Sequence, residues 1–241
     1  MKKVVSFLGG DHRVGTTMTA DCCAAMLAAD LPDSRLLVIH AQSPGAAVYT
    51  QTPGLCIDDI APHLEKRNPD PDEILERSLV SGGLHVISSG SRLGSAGDIH
   101  PDSAGFLLEI LRDRFDLIIC DAGCEPDRGF SLGLLMASVS IFPIITQNEN
   151  CLRRFEWLSP LYDRLGLRLR GPVIGCFSSS AAFSAGYMSR RLGISTDDLL
   201  SVRESRFGEQ AESEGKLLLS YRDSGFKKDI AALCELLSEK L

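Results

Sequence analysis

The chain has 241 residues, 44% of them hydrophobic, and a formal net charge of −7 at neutral pH. This length and apolar content agree with one medium-sized soluble domain over residues 1–241. The acidic balance disfavours general attraction to nucleic acid, and no apolar stretch approaches the ~18 residues of a transmembrane helix.

The N-terminal residues favour a cytoplasmic protein. Met1, Lys2 and Lys3 lead directly into an apolar run that is too short for a secretory signal. Eight cysteines are present, but their spacing is not that of a disulfide scaffold or a C-x-x-C metal site. We expect reduced thiols, most of them buried, while Cys56 and Cys151 fall near predicted turns where exposure is possible.

Apolar runs alternate with helix-like segments along the chain. This order predicts an α/β fold with a doubly wound, mostly parallel sheet and helices on both faces. Predicted strands cover residues 3–8, 36–40, 84–88, 117–121, 139–145 and 173–177. Predicted helices cover residues 17–29, 71–78, 104–114, 151–165, 184–192, 205–214 and 227–240. Residues 43–70 and 89–103, rich in Gly, Pro, Ser and Asp, are predicted to be long surface connections.

A glycine loop follows the first predicted strand and precedes the first predicted helix. That context is typical of the phosphate-binding loop G-x-x-x-x-G-K-[ST], whose backbone amides surround phosphates while the hydroxyl holds magnesium. Gly10, Gly15 and Thr17 match the pattern, but Thr16 stands at the lysine position. Because a positive charge is lost, hydrolysis should suffer more than binding.

We therefore predict that the loop binds the phosphates of ATP or ADP with magnesium. The predicted binding residues are Gly10, Asp11, His12, Arg13, Val14, Gly15, Thr16 and Thr17. Two interpretations of Arg13 stay open: a bidentate phosphate contact that replaces the lysine, or a side chain that points to solvent.

The predicted site also includes a carboxylate at the end of another predicted strand. The apolar strand at 117–121 ends in Asp121, and ligands of doubly wound proteins bind at the carboxyl ends of strands. We predict that Asp121 and Thr17 hold magnesium. The alternative is that Asp121 only caps the following turn.

The chain as a whole resembles the MinD/ParA family of P-loop ATPases. Residues 14–20, VGTTMTA, are similar to the family's V-G-K-T-T-x-A segment, and residues 36–45 to its second strand, which usually ends in D-x-D-x-x-G. Residues 115–123 resemble the Y-D-x-I-I-I-D strand and switch loop, and residues 173–241 the last strands, adenine-side loop and closing helices. The resemblance implies a P-loop NTPase fold and a nucleotide-bridged homodimer.

Several positions depart from the family pattern. Asp11 stands where the signature lysine reaches across the dimer, which puts the usual nucleotide-sandwich dimer in doubt. His40 replaces an aspartate that helps to position the attacking water. The asparagine that recognises adenine is not obvious at 176–180. The changes at Thr16, Asp11 and His40, each of which affects charge or the orientation of water, predict weak or absent hydrolysis, with nucleotide binding retained.

With threonine in place of the loop lysine, the chain is similar to the CpaE/TadZ branch, whose members help to localise and assemble pili. The resemblance therefore implies protein partners in a pilus, secretion or partition machine, with membranes contacted only indirectly. Two hypotheses stay open: a nucleotide-dependent switch or slow ATPase, and a pseudo-ATPase adaptor that binds no nucleotide. A third and weaker hypothesis is DNA association through arginines at 153–154, 190–191, 203 and 206, against solvated arginines paired with nearby acids.

Overall fold

The computed structural model describes residues 4–42, 54–90 and 99–238. Its strands are β1 (Val4–Gly9), β2 (Leu36–His40), β3 (Leu55–Cys56), β4 (Leu79–Ser81), β5 (Leu84–Ser88), β6 (Leu117–Asp121), β7 (Ser140–Ile145), β8 (Val173–Phe177) and β9 (Leu200–Arg203). Its helices are α1 (Thr16–Asp30), α2 (Ile57–Glu65), α3 (Pro71–Ser78), α4 (Pro101–Leu111), α5 (Gly129–Ala137), α6 (Glu149–Arg164), α7 (Ala185–Leu192), α8 (Gly208–Glu214) and α9 (Ser224–Ser238).

The strands form one sheet with the order β3-β5-β2-β6-β1-β7-β8-β9. All neighbours in this order are parallel, and β4 pairs antiparallel with β5. The central strands are buried along their whole length, as expected for a sheet covered on both faces. One core contains residues of α1, α6, α7 and α9, and the other contains residues of α2, α3, α4 and α5. The predicted doubly wound α/β fold is confirmed.

Every predicted strand and helix has a counterpart in the structure, with ends displaced by up to three residues. The prediction of a surface connection at 43–70 is wrong for its second half, which contains β3 and α2. Helix α2 buries Ile57, Ile60 and Leu64, a helical spacing that Pro62 obscured. Residues 43–53 lie outside the described part of the chain.

Residues 91–98 of the connection predicted at 89–103 are not described, and α4 begins inside that range, at Pro101.

Three further elements, α5, β4 and β9, escaped prediction. Helix α5 is apolar around its circumference, so it carries no helical periodicity. Strands β4 and β9 are only three and four residues long, and they lie at the margins of the sheet.

Two helical glycines provide a test of how α5 packs on α4. A Cβ added to Gly133 would lie 2.2 Å from the Pro101 carbonyl oxygen and 2.6 Å from the Ala104 Cβ, whereas a Cβ on Gly105 would meet nothing within 4 Å. We expect Gly133→Ala to lower the free energy of unfolding by about 1–3 kcal/mol through overpacking. The matched Gly105→Ala variant should raise it by about 0.5–1 kcal/mol, because alanine favours the helix. Urea denaturation measures both, and equal effects would contradict this packing.

Candidate functional site

A cavity of about 550 Å³ opens at the carboxyl ends of the central strands. Its lining includes seven of the eight predicted binding residues, namely Asp11, His12, Arg13, Val14, Gly15, Thr16 and Thr17. The eighth, Gly10, does not line the cavity. A Cβ on Gly10 would lie 2.9 Å from Ile145 Cγ2 and 3.1 Å from Cys151 Sγ, so this glycine permits close packing of the loop.

The loop is anchored to the sheet at its start and turns sharply at its end. Gly9 N donates to Gly123 O at 2.7 Å, and Gly10 N donates to Ile144 O at 2.7 Å. Gly15 has φ of 87°, a left-handed conformation available to glycine at little cost, and α1 begins at the next residue. The free N–H groups and the dipole at the start of α1 make this region suited to an anion.

The cationic side chains around the cavity are engaged by other groups. Arg13 pairs with Glu212 at 3.2 Å across the cavity mouth, and Arg128 pairs with Glu125. Arg13 is 82% exposed and lines the cavity, so its side chain reaches solvent as one interpretation has it, whereas a contact with phosphate stays a prediction. Thr16, at the lysine position, is almost buried. No unpaired lysine or arginine therefore lines the cavity within the described ranges.

The two predicted magnesium ligands, Thr17 and Asp121, are in direct contact. Thr17 Oγ1 donates to Asp121 Oδ2 at 2.5 Å, while Gly123 N donates to Asp121 Oδ1 at 3.1 Å. Asp121 therefore caps the turn, as the alternative interpretation has it, and it also accepts from the Thr17 hydroxyl, whereas its binding of magnesium stays a prediction. Two adjacent hard oxygen ligands are the donors that magnesium prefers, so these residues fit the ion.

His40 lies buried between two carboxylates. Strand pairing places it opposite Asp121, with 3.3 Å between His40 Nδ1 and Asp121 Oδ2. On its other side, His40 Nε2 lies 3.1 Å from Oδ1 of Asp21, a residue of α1 that sequence analysis did not single out. The three residues are at most 4% exposed.

This arrangement changes the expected charge of His40. Burial acts against an imidazolium, but the charge of Asp21, 3.1 Å from Nε2, and the hydrogen bond from Nδ1 to Asp121 raise the His40 pKa to about 10. Burial raises the Asp21 pKa. Burial also opposes ionisation of Asp121, yet His40, followed by Thr17, holds the Asp121 pKa below its ordinary value. The position of His40 between Asp121 and Asp21 therefore favours its protonated form.

Gln42 organises the loop after β6, and sequence analysis missed it. Its Oε1 accepts from Cys124 N at 3.0 Å and from Glu125 N at 3.1 Å, while its Nε2 donates to Ser131 Oγ at 2.8 Å. Arg154 of α6 fixes the same loop by donating to Cys124 O at 2.7 Å. These contacts join residues at least 30 positions apart, so no local pattern reveals them.

A second cavity of about 560 Å³ adjoins the first on the side of β8 and β9. Arg13, Gly15 and Met18 belong to both linings. Cys176 enters the second cavity from the end of β8 with φ of 50°. Together the cavities extend from the glycine loop to the region where the family resemblance places adenine.

Three of the six arginines considered for DNA binding have acidic partners, although not those expected from their sequence neighbours. Arg153 pairs with Glu149, and Arg191 with Glu149 and Glu156. Arg203 pairs with Asp229, and Arg206 lies over the Phe207 ring. Within the described ranges no cluster of three or more His, Cys, Asp or Glu side chains could hold a metal ion. No helix of that part of the chain is long and apolar enough to cross a membrane.

The cysteine expectations are partly confirmed. Most thiols are buried and all are free. Cys56 is half-buried, and Cys151 is buried despite its position beside a turn because its side chain packs under the glycine loop. Cys176 is exposed, which the strand pattern did not predict.

Solved structures share this fold over the full length. The structure matches a ParA family ATPase from Chlorobium tepidum TLS with TM-score 0.81 and 19% identity, over 98% of this chain and 99% of that chain. It matches the cell division ATPase MinD of Pyrococcus furiosus with TM-score 0.78 and 15% identity, over 100% of both chains. MinD from Pyrococcus horikoshii OT3, solved with Mg-ADP, gives TM-score 0.78 and 12% identity, over 100% and 99%. No protein-family model matches, and neither does any curated protein. The chain has the MinD/ParA fold.

The buried ion pairs predict a distinctive pH dependence of stability. Because folding raises the His40 pKa from 6.5 to about 10, its stabilisation is complete below pH 6.5 and is lost as pH rises toward 10. Between pH 6.5 and 8 we expect the free energy of unfolding to fall by up to about 1.4 kcal/mol per pH unit. Chemical denaturation at several pH values measures this slope.

A His40→Gln variant should lose that slope, since it has no titrating imidazole at this position. Arg77→Ala removes the exposed pairs with Glu73 and Asp59 and should keep the slope, with a change in stability within about 1 kcal/mol. The same pH slope in His40→Gln and in the wild type would contradict a protonated His40.

Proposed function

We propose that the chain is a MinD/ParA-type switch protein that binds ATP or ADP with magnesium and hydrolyses ATP weakly or not at all. The 2.5 Å contact between Thr17 Oγ1 and Asp121 Oδ2 carries this proposal. It brings together the two predicted magnesium ligands beside a glycine loop that opens into a cavity. Magnesium, when bound, would neutralise phosphate charge.

The shape of the site supports a nucleotide as the ligand. The first cavity offers backbone amides and the start of α1 to phosphates, and the adjoining cavity has room for a nucleoside. Arg13 lies where the two cavities meet, and its partner Glu212 is 63% exposed. An exposed ion pair of this kind is weak, so a phosphate could take the guanidinium from it.

Weak hydrolysis follows from three side chains. Thr16 supplies no charge to the γ-phosphate, and the Asp11 carboxylate lies in the cavity lining, where it opposes phosphate. His40 cannot accept a proton from water, since each of its ring nitrogens faces a buried carboxylate. Binding depends mainly on backbone groups and therefore persists.

The second candidate, an adaptor without nucleotide, has one observation in its favour. The charges at the site are largely matched within the protein: Arg13 by Glu212, Arg128 by Glu125, and Asp121 by His40. A fold with such internal compensation can persist without ligand. In this case the site would preserve structure and leave function to surface contacts.

The cellular setting is a further part of the proposal. From the resemblance we infer a cytoplasmic protein that helps to localise or assemble a pilus, secretion or partition machine through protein partners, with only indirect membrane contact. A homodimer with Asp11 at the family's lysine position would need a different interface. DNA is a poor partner because the net charge is −7 and three of the six candidate arginines are paired with acids.

Titration calorimetry of the loop variants tests nucleotide binding. We expect micromolar affinity for ATP in magnesium, weaker affinity in excess chelator, and loss of binding in Thr17→Ala, which lacks the magnesium-facing hydroxyl. Thr16→Lys should tighten binding by roughly ten- to a hundredfold, since a hydrogen bond to a charged group contributes about 1.5–3 kcal/mol.

Thr196→Ala is the matched control, because Thr196 is exposed and lies in a short 3-10 helix outside both cavities. It should bind as the wild type does. No heat and no thermal shift at millimolar ATP in the wild type would refute the switch and leave the adaptor.

A further inference from the structure

The first cavity contains a thiol and an imidazole that the proposed function does not use. Cys124 Sγ lies 3.1 Å from His12 Nδ1, and His12 Nε2 lies 3.9 Å from Glu125 Oε1. All three residues line the cavity. Cys124 is only 6% exposed and lines the cavity, whereas the His12 side chain is 68% exposed.

We propose that Cys124 is a modification site at which small hydroperoxides oxidise the thiol to a sulfenic acid, with His12 as the base. The order of thiol, imidazole and carboxylate is the order by which proteins activate a nucleophile: a base takes the proton and a third group orients and stabilises the base. Here Glu125 is the third group, near the nitrogen that faces away from sulfur.

A base is required because the thiol is not ionised by its surroundings. Burial raises the Cys124 pKa above the ordinary value, and the nearby Arg154 guanidinium opposes only part of this effect. Arg154 donates to the Cys124 carbonyl and also to the Gly10 carbonyl, so it holds the residue in place. Proton transfer to His12 at the moment of attack removes the need for a resting thiolate.

The reaction balances with the peroxide as the only other reactant. His12 Nδ1 takes the Sγ proton, and sulfur attacks the terminal, hydrogen-bearing oxygen of ROOH. The O–O bond breaks as the S–O bond forms, and the departing alkoxide takes the proton from the imidazolium and leaves as ROH. Sulfur loses two electrons and the peroxide gains them, giving Cys–SOH.

Neither of the other thiols near the loop has this environment. Cys151 Sγ accepts from Thr146 N at 3.4 Å, and it is buried. Cys176 is exposed, but no imidazole contacts it among the described residues. The oxidation rate of Cys176 therefore reports the effect of exposure alone. The difference between the Cys124 rate and the Cys176 rate reports the effect of the imidazole.

Oxidation at this position would also affect the site itself. The Cys124 Cβ lies 3.2 Å from the place where a Cβ on Gly9 would be, so the side chain stands against the base of the glycine loop. An added oxygen occupies space in the phosphate cavity. A modified protein should therefore bind phosphates less well, a consequence that rests on the proposed function.

The test treats reduced wild-type protein with hydrogen peroxide, traps sulfenic acid with dimedone and measures the label on each cysteine by mass spectrometry over time. We expect Cys124 to react about tenfold or more faster than Cys176, because a positioned base contributes about a hundredfold or more and His12 is partly solvated. His12→Asn should remove this advantage and leave the Cys176 rate unchanged. His63→Asn, a change at an exposed histidine of α2, is the matched control and should alter neither rate.

Two outcomes overturn the proposal: a Cys124 rate at or below that of Cys176, or an unchanged Cys124 rate in His12→Asn. An arm with saturating Mg-ATP separates this inference from the proposed function. Slower labelling of Cys124 but not Cys176 supports both proposals. If Cys124 remains the faster thiol in a His12-dependent manner but ATP does not protect it, the reactive thiol stands and nucleotide binding fails.

Discussion

The buried Asp121 carboxylate is the constraint on which the site depends. A carboxylate in a protein interior is stable only when hydrogen bonds and opposite charge compensate its lost hydration. Asp121 obtains them from Thr17 at the start of α1, from His40 on β2 and from the turn at Gly123. Three separate elements are therefore held in register around one anion, and the glycine loop and its cavity take their positions from them.

That compensation also moves positive charge away from the cavity. The lysine of an ordinary phosphate-binding loop is absent, and the buried cation, His40, lies beneath the loop between Asp121 and Asp21. A cation in that position stabilises the fold at neutral pH, but its nitrogens face carboxylates and not a bound ligand. Binding without efficient hydrolysis is the function that such a distribution of charge favours.

The fold was predictable because its signals are local: buried strands form continuous apolar runs, and the glycine loop joins the first of them to a helix. The candidate site was predictable at residues 11–17, where the motif covers it, and at Asp121, from its place at the end of an apolar strand. What escaped depends on long-range contact. Asp21 gave no signal on a helix of small residues until His40 was placed beside it, and the contacts of Gln42 and Arg154 exist only after β2, β6 and α6 have assembled. The charge of His40 likewise follows from its neighbours in space and not from its neighbours in sequence.

Hydrogen exchange of the backbone amides at 10–17 tests the central claim, that this loop surrounds phosphates, most directly. Compared without ligand and with saturating Mg-ATP, the amides of the loop and of the first turn of α1 should exchange more slowly, while those of the distant helix α3 stay unchanged. Unchanged exchange throughout the loop at millimolar Mg-ATP would contradict the claim, and the MinD/ParA fold would then serve this protein as a scaffold.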